Sequence, residues 1–138
     1  MFQRYFVGIA MCHRNFTRET YSEKGIKAGH PKVLRTLEEH DGCIQVEISR
    51  YCGIKPATTV SLLNVMEKDG LIERHTLPED RRAIRVTLTE KGREQLAGLD
   101  EMDAVLSEAL LEGFTEEETA AFQDYLERMK QNIERFNR

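Results

Sequence analysis

The spacing of apolar residues along the chain predicts a mainly helical protein. A first helix is predicted from Phe2 to Glu23, and a second begins near Pro31, a residue that suits the first turn of a helix. This second helix has one narrow apolar face, formed by Val33, Leu34 and Leu37. After residue 89 the pattern is helical again, and Thr115 with Glu118 forms a capping box that starts a last helix.

Two short helices are predicted in the middle of the chain. One runs from Gln45 to about Tyr51 and the other from Pro56 to about Lys68, and a turn containing Gly53 joins them. This is the outline of a helix-turn-helix. From Leu71 to Leu88 the period changes from helical to alternating, which predicts a β-hairpin with a polar tip at residues 78–82. A hairpin that follows a helix-turn-helix is typical of a winged helix.

The charge is distributed unevenly, although the net charge is only −4. Residues 1–93 carry 16 Lys and Arg against 12 Asp and Glu, a net +4, while residues 94–138 carry 4 against 12, a net −8. No Lys or Arg occurs from Glu94 to Glu127. A surface that binds phosphate is therefore expected in the first part of the chain.

Several classes of function are not expected. No nucleophile with a base, phosphate-binding loop or pair of convergent carboxylates is apparent, so the protein is not expected to be an enzyme. Neither the three cysteines nor the four histidines have the spacing of metal ligands, and no disulfide framework, metal or cofactor is expected. The apolar run from Tyr5 to Met11 is too short to span a membrane. We therefore interpret the chain as a cytoplasmic protein that has no membrane partner.

The second short helix has the residues that a DNA-reading helix needs. Small or polar side chains near its N-terminus can reach base edges and thymine methyl groups in the major groove. Those side chains belong to Ala57, Thr58, Val60, Ser61 and Asn64. Pro56 and the uncapped position of Lys55 leave free N–H groups and a cation for phosphate. The alternative is that these residues form an ordinary solvated helix face.

Two stretches of the chain resemble the MarR family of transcriptional regulators. The segment DRRAIRVTLTEKG, residues 80–92, resembles the wing signature of that family, and QVEISRYCGIKPATTVSLLNVMEKDGLIER, residues 45–74, resembles its helix-turn-helix. The resemblance places the family's wing arginine at Arg82 and its acidic partner at Asp80, which would orient an arginine. Arg81 and Arg82 are expected to enter the minor groove; the alternative is a merely solvated basic turn.

One departure from the family pattern concerns the end of the recognition helix, where Ser61 and Val65 stand in place of basic residues. The wing and phosphate contacts are therefore expected to contribute more of the affinity. The basic residues assigned to the phosphate contacts are Lys32, Arg35, Arg50 and Lys55.

The resemblance implies a homodimer that binds a palindromic operator in double-stranded DNA. Apolar stripes at both ends of the chain are assigned to the dimer, although such stripes also form intramolecular cores. They contain Phe2, Tyr5, Phe6 and Ile9, and then Phe122, Leu126, Met129, Ile133 and Phe136. The resemblance also implies a small-molecule effector, with a pocket assigned to Met11, His13, Phe16 and His30. Cys12 lacks the sequence context of the family's peroxide-sensing subgroup, and redox sensing is not expected.

The sequence thus predicts a single MarR-like domain over residues 1–138. Its winged helix-turn-helix part covers about 30–90, and its dimerisation helices cover about 1–24 and 93–138. The predicted function is that of a sequence-specific, ligand-responsive dimeric repressor. The alternative is a winged helix that binds only other proteins, which would bury the same core without needing a basic wing tip.

Overall fold

The computed structural model describes residues 1–136, which form six helices and one two-stranded antiparallel sheet. The helices are α1 (Phe2–Glu23), α2 (His30–Glu39), α3 (Gln45–Cys52), α4 (Pro56–Lys68), α5 (Glu90–Leu110) and α6 (Glu116–Phe136). The strands are β1 (Ile72–Thr76) and β2 (Ile84–Leu88). The predicted fold class, mainly helical with a small hairpin, is confirmed.

Contacts group the chain into two compact units, Met1–Leu99 and Asp100–Arg138. The first contains α1 to α4, the hairpin and the start of α5, and the second contains the rest of α5 and α6. The predicted single domain and its boundaries stay a prediction.

The core of the first unit lies among α2, α3, α4 and the hairpin. The predicted apolar face of α2 is fully buried, and each such side chain contributes about 1.5–3 kcal/mol by leaving water. The completely buried core side chains include Val33, Leu34, Leu37, Ile48, Leu63, Met66 and Val86. This core holds the two short helices and the hairpin together in one body.

The hairpin pairs Ile72 with Leu88 at its base and Thr76 with Ile84 toward its tip. The turn before α3 adds a short third partner, because Ile44 forms an isolated antiparallel bridge with Arg85. The N–H of Gly42 donates to the carbonyl of Val86 at 2.9 Å, and the N–H of Val86 donates to the carbonyl of Cys43 at 3.0 Å. The start of α3 is therefore fixed to strand β2.

The start of α6 has the predicted capping box. The Thr115 N–H donates to Oε2 of Glu118 at 2.9 Å, and the Glu118 N–H donates to Oγ1 of Thr115 at 3.2 Å. Two N–H groups that the helix itself cannot bond are thereby satisfied.

Helices α1 and α6 bury none of their described residues. Large apolar side chains are instead exposed, among them Phe2, Tyr5 and Ile9 on α1 and Phe122 and Ile133 on α6. Within residues 1–136 no helix combines the length and the apolar character needed to cross a membrane.

Candidate nucleic-acid interface

Helices α3 and α4 are joined by a buried hydrogen bond between two hydroxyl groups. Ser49 Oγ donates to Thr59 Oγ1 at 2.8 Å, and the Thr59 hydroxyl donates in turn to the carbonyl of Lys55 at 3.2 Å. Both Ser49 and Thr59 are buried, and each hydroxyl has a hydrogen-bond partner. The bond therefore fixes how α3 packs against α4 and leaves neither hydroxyl unsatisfied. The sequence analysis missed this bond, which turns the opposite face of α4 outward.

That outward face contains every residue of α4 that the sequence analysis assigned to DNA. Thr59, Leu63 and Met66 face the core, whereas the assigned residues are all exposed: Pro56, Ala57, Thr58, Val60, Ser61 and Asn64. Within residues 1–136 the side-chain amide of Asn64 makes no hydrogen bond, so both its donor and its acceptor are available to a base edge. The Ser61 hydroxyl donates to the Ala57 carbonyl at 3.1 Å and keeps its oxygen as an acceptor.

The N-terminus of α4 is uncapped. Lys55 occupies the capping position with extended backbone, φ −66° and ψ 145°, and its side chain makes no capping bond. The first backbone bond of the helix runs from the Thr59 N–H to the Lys55 carbonyl at 2.9 Å. The N–H groups of Ala57 and Thr58 therefore point out of the helix at its positive end, where a phosphate is stabilised.

The wing tip is folded around Asp80. Oδ1 of Asp80 accepts the backbone N–H of Arg82 at 2.9 Å, and the Asp80 carbonyl accepts the N–H of Ala83 at 3.1 Å. The expectation was that Asp80 orients an arginine; in the structure it contacts the main chain of Arg82 rather than a guanidinium. Arg81 and Arg82 are exposed, and neither forms an ion pair within the described part of the chain. Both guanidinium groups thus remain available to a ligand.

An ion pair connects the recognition helix to the wing. Arg74 of β1 contacts Oε2 of Glu67 on α4, with Nε at 3.1 Å and Nη2 at 2.5 Å. The hydrogen bonds from Arg74 lower the pKa of the Glu67 carboxyl, so the pair stays charged at neutral pH. The sequence analysis did not identify this pair, which links α4 to β1 through two hydrogen bonds to one carboxylate oxygen.

The other predicted phosphate-binding residues differ in their surroundings. Lys32 and Lys55 are exposed. Arg35 lies 3.3 Å from Oε2 of Glu38, and Arg50 lies 3.9 Å from Oε1 of Glu47 and 5.3 Å from the centre of the Tyr51 ring. Their assignment to phosphate stays a prediction.

Comparisons with known proteins agree with this geometry. A model of the MarR family matches residues 24–83, which contain α2, α3, α4, β1 and the wing tip. The HTH-type transcriptional regulator YwhA of Bacillus subtilis is 32% identical over 90 residues, which are 65% of this chain and 65% of that protein's length. A MarR family protein from Bacillus stearothermophilus is 25% identical and has a TM-score of 0.84, with 95% of this chain and 91% of that chain covered. The helix-turn-helix and the start of the wing are therefore similar to those of the MarR family.

A further solved structure extends the likeness of fold to almost the whole chain. FabT of Streptococcus pneumoniae, solved in complex with DNA, has a TM-score of 0.81 and 22% identity, and 99% of each chain is covered. The predicted winged helix-turn-helix fold is confirmed. MarR proteins are transcriptional regulators rather than enzymes, in agreement with the sequence analysis.

The four residues assigned to an effector pocket from the MarR resemblance differ in their exposure to solvent. Met11, His13 and Phe16 are exposed on α1, whereas His30 is buried at the start of α2. Burial lowers the pKa of the His30 imidazole. A cavity of about 700 Å³ lies beside the C-terminal half of α1, and none of these four residues lines it. Its lining includes Arg14, Arg18, Tyr21, Ile26 and Lys27.

The three cysteines of the chain are free thiols. Cys52 is buried at the end of α3, with its Sγ 3.2 Å from Oγ1 of Thr36, and it packs as a small apolar residue. Burial raises the pKa of the half-buried Cys43 thiol, and Cys12 is exposed on α1. In the described residues, no group of three or more His, Cys, Asp and Glu side chains is placed to hold a metal ion.

Proposed function

We propose that this protein binds double-stranded DNA in a sequence-specific manner and regulates transcription. Helix α4 would lie in the major groove and the hairpin tip in the adjacent minor groove. The observation that carries the proposal is that the start of α4 and the wing tip line one cleft, with Pro56 and Val60 on one side and Arg82 on the other. Arg81 and Arg82 are exposed and form no ion pair within residues 1–136. The complex of FabT with DNA supports the proposal, because that protein shares the fold over its whole length.

The charge distribution supports the same surface. Residues 1–93 have a net charge of +4 and contain α4 and the hairpin, whereas residues 94–138 have a net charge of −8. A duplex is attracted to the first segment and repelled by the second. The proposal places the protein in the cytoplasm, with DNA as its partner.

A homodimer that binds a palindromic operator belongs to the proposal. The exposed apolar residues of α1 and α6 support it, because a single chain leaves them in water. Sedimentation velocity should give twice the chain mass of 16.0 kDa. Replacing Phe6 with Glu should give monomers, because a charge at the interface is costly. A monomeric wild type would contradict this part of the proposal.

Repression and release by a small molecule are the finer part of the proposal, and the similarity to the MarR family supports them. The effector would occupy either the predicted residues on α1 and α2 or the cavity lined by Arg14 and Arg18, whose guanidinium groups suit an anion. Arg14→Ala and Met11→Ala, each assayed for release of DNA by a panel of aromatic carboxylates, would distinguish the two locations.

The decisive experiment is fluorescence anisotropy with labelled DNA from upstream of the protein's own gene. Scrambled DNA of equal length is the control, and binding is measured across a salt series. Saturable binding that is tighter for the upstream DNA and falls with salt is expected. If that DNA fails, selection from a random duplex library replaces it. Equal weak binding to every duplex would overturn sequence-specific regulation and favour a winged helix that binds proteins.

A further inference from the structure

A cleft separates the helix-turn-helix from the wing on the surface proposed to bind DNA. The starts of α3 and α4 form one wall, with Gln45, Val46 and Val60, and the wing forms the other, with Arg82 and Ala83. Its volume is about 170 Å³. This is several times the roughly 30 Å³ that one water molecule occupies in the liquid, so the cleft admits a group larger than water.

The walls of this cleft are held together at its base. Ile44, which precedes α3, is paired with Arg85 of β2, and the backbone of residues 42 and 43 is bonded to Val86 on either side. The wing wall therefore cannot swing away from α3 without breaking backbone hydrogen bonds. A ligand that enters the cleft meets a site that already has its shape, and little ordering is needed on binding.

Gln45 brings an unpaired polar group to this cleft. Its Oε1 is buried and has no hydrogen-bond partner, and no other described residue bonds to its side-chain amide. A buried polar atom without a partner destabilises a fold, so such an atom calls for an explanation. Val46 beside it is exposed although it is apolar. A polar amide between apolar side chains matches a ligand that has both polar and apolar parts.

The shape of a duplex determines what passes through the cleft. The major and minor grooves of DNA are separated by a single sugar–phosphate strand. If α4 lies in the major groove and Arg82 lies in the next minor groove, that strand must run between them. The cleft is the space between these two elements, so the two-groove arrangement places the strand in it. Its phosphates carry acceptor oxygens, and its deoxyriboses present C–H surfaces.

We propose that the cleft binds the sugar–phosphate strand that separates the two grooves. The Gln45 amide rotates and donates its N–H to a phosphate oxygen, while Val46 and Val60 pack against the adjoining deoxyriboses. Gln45 thereby fixes the register of the duplex between the recognition helix and the wing, a positioning role that carries no base information. The inference rests on the proposed function, because it requires α4 and the wing to occupy neighbouring grooves.

The test is a double-mutant cycle between Gln45 and individual phosphates of a duplex selected by the wild-type protein. Phosphates between the major-groove half-site and the neighbouring minor groove are replaced one at a time with neutral methylphosphonate. Gln45→Ala should weaken binding to the unmodified duplex about five- to tenfold, as expected for one hydrogen bond. At one phosphate position, the methylphosphonate should weaken the wild type but have little further effect on Gln45→Ala.

Controls separate this role from a structural one. Gln45→Ala should leave the melting temperature of the free protein unchanged or higher, because it removes the unpaired Oε1. Gln45→Glu should bind more weakly than Gln45→Ala, since a carboxylate repels phosphate. The same substitution at the exposed Gln123 of α6 is the matched control and should bind as the wild type does.

The outcomes also distinguish this inference from the function on which it rests. Additive effects of Gln45→Ala and methylphosphonate at every position, with normal wild-type binding, would overturn the Gln45 contact alone. A wild-type protein that selects no duplex would overturn the proposed function and the inference with it. A salt dependence that is the same for Gln45→Ala and wild type is expected, because no cation is removed.

Discussion

Gly92, in the first turn of α5, lies directly against the carbonyl group of Leu71, so that a Cβ atom at position 92 would overlap the Leu71 oxygen. Thr89 creates this close approach. Its Oγ1 accepts the Gly92 N–H at 3.0 Å and its hydroxyl donates to the Gly70 carbonyl at 2.6 Å. The wing and the start of α5 are therefore locked to the end of α4 through backbone groups.

Gly92→Ala should destabilise the protein by about 1–3 kcal/mol or more, because backbone atoms must move to make room for a methyl group. Gly98→Ala is the matched control on the same helix, with no atom within 4 Å of the added Cβ. It should raise stability by up to about 1 kcal/mol through helix propensity. Urea denaturation measures both variants. Equal effects of the two substitutions would mean that the contact with Leu71 does not matter.

Local patterns predicted the elements of this fold well, and the pairings between elements much less. The four helices of the first unit and the hairpin follow from apolar spacing and Pro56, and α6 of the second unit follows from the Thr115–Glu118 box. These signals all lie within short stretches of sequence. The Glu67–Arg74 pair and the Ile44–Arg85 bridge join residues that are distant in sequence or that no local pattern distinguishes from other surface residues. These two pairings form only because packing of the core brings the partners together.

In the candidate site, too, local patterns predicted some features and missed others. The exposed face of α4 could be predicted because it is the complement of its apolar face. Thr59 was missed as a core residue because a hydroxyl is buried only when it has partners, here Ser49 and the Lys55 carbonyl. His30 was assigned to an effector pocket through the MarR resemblance, and that assignment stays a prediction; its burial at the first position of α2 depends on the packing of neighbouring elements, which no local pattern shows.

Replacing both Arg81 and Arg82 with Ala should abolish specific DNA binding and leave the melting temperature unchanged. Neither guanidinium has an ion pair within residues 1–136, so the fold loses nothing when they are removed. The salt dependence of any remaining binding should become shallower by about one to two units in log–log slope. Anisotropy across a salt series and thermal unfolding are the measurements.

The control for this pair is Arg128→Ala with Arg135→Ala, which makes the same change of charge within the acidic C-terminal segment. It should bind DNA as well as the wild type. Retained specific binding by the variant lacking Arg81 and Arg82 would eliminate the wing from the interface.

Asp41 joins three elements through one carboxylate. Oδ1 accepts the N–H of Leu88 at the end of β2 at 2.9 Å, and Oδ2 lies 2.9 Å from the guanidinium of Arg93 on α5. Asp41→Ala should cost about 1–3 kcal/mol, because it removes the acceptor of the Leu88 N–H. Arg93→Ala should cost less than about 1 kcal/mol, since it removes only a half-exposed ion pair. Urea denaturation should rank the two in that order, and the reverse order would contradict this division of roles.

His30 makes stability depend on pH in the mildly acidic range. Burial lowers the pKa of its imidazole, the neighbouring Asp69 carboxylate raises it, and Lys27 lowers it. The unfolded chain, with an ordinary His pKa of about 6.5, therefore takes up a proton at a pH at which the folded protein does not. The stability contributed by neutral His30 is present above that pH and is lost as the pH falls below it, by at most about 1.4 kcal/mol per pH unit.

Urea denaturation at pH 7.5, 6.5 and 5.5 tests this with His30→Leu, which cannot titrate. The variant should lose less stability than the wild type between the first and last pH. His13→Leu, at an exposed position of α1, is the matched control and should follow the wild type. The pKa of Asp69 is lowered chiefly by its hydrogen bond from Lys27, which all three proteins retain, so its contribution is lost at more acidic pH. Parallel curves for wild type and His30→Leu would show that the buried imidazole does not control stability in this range.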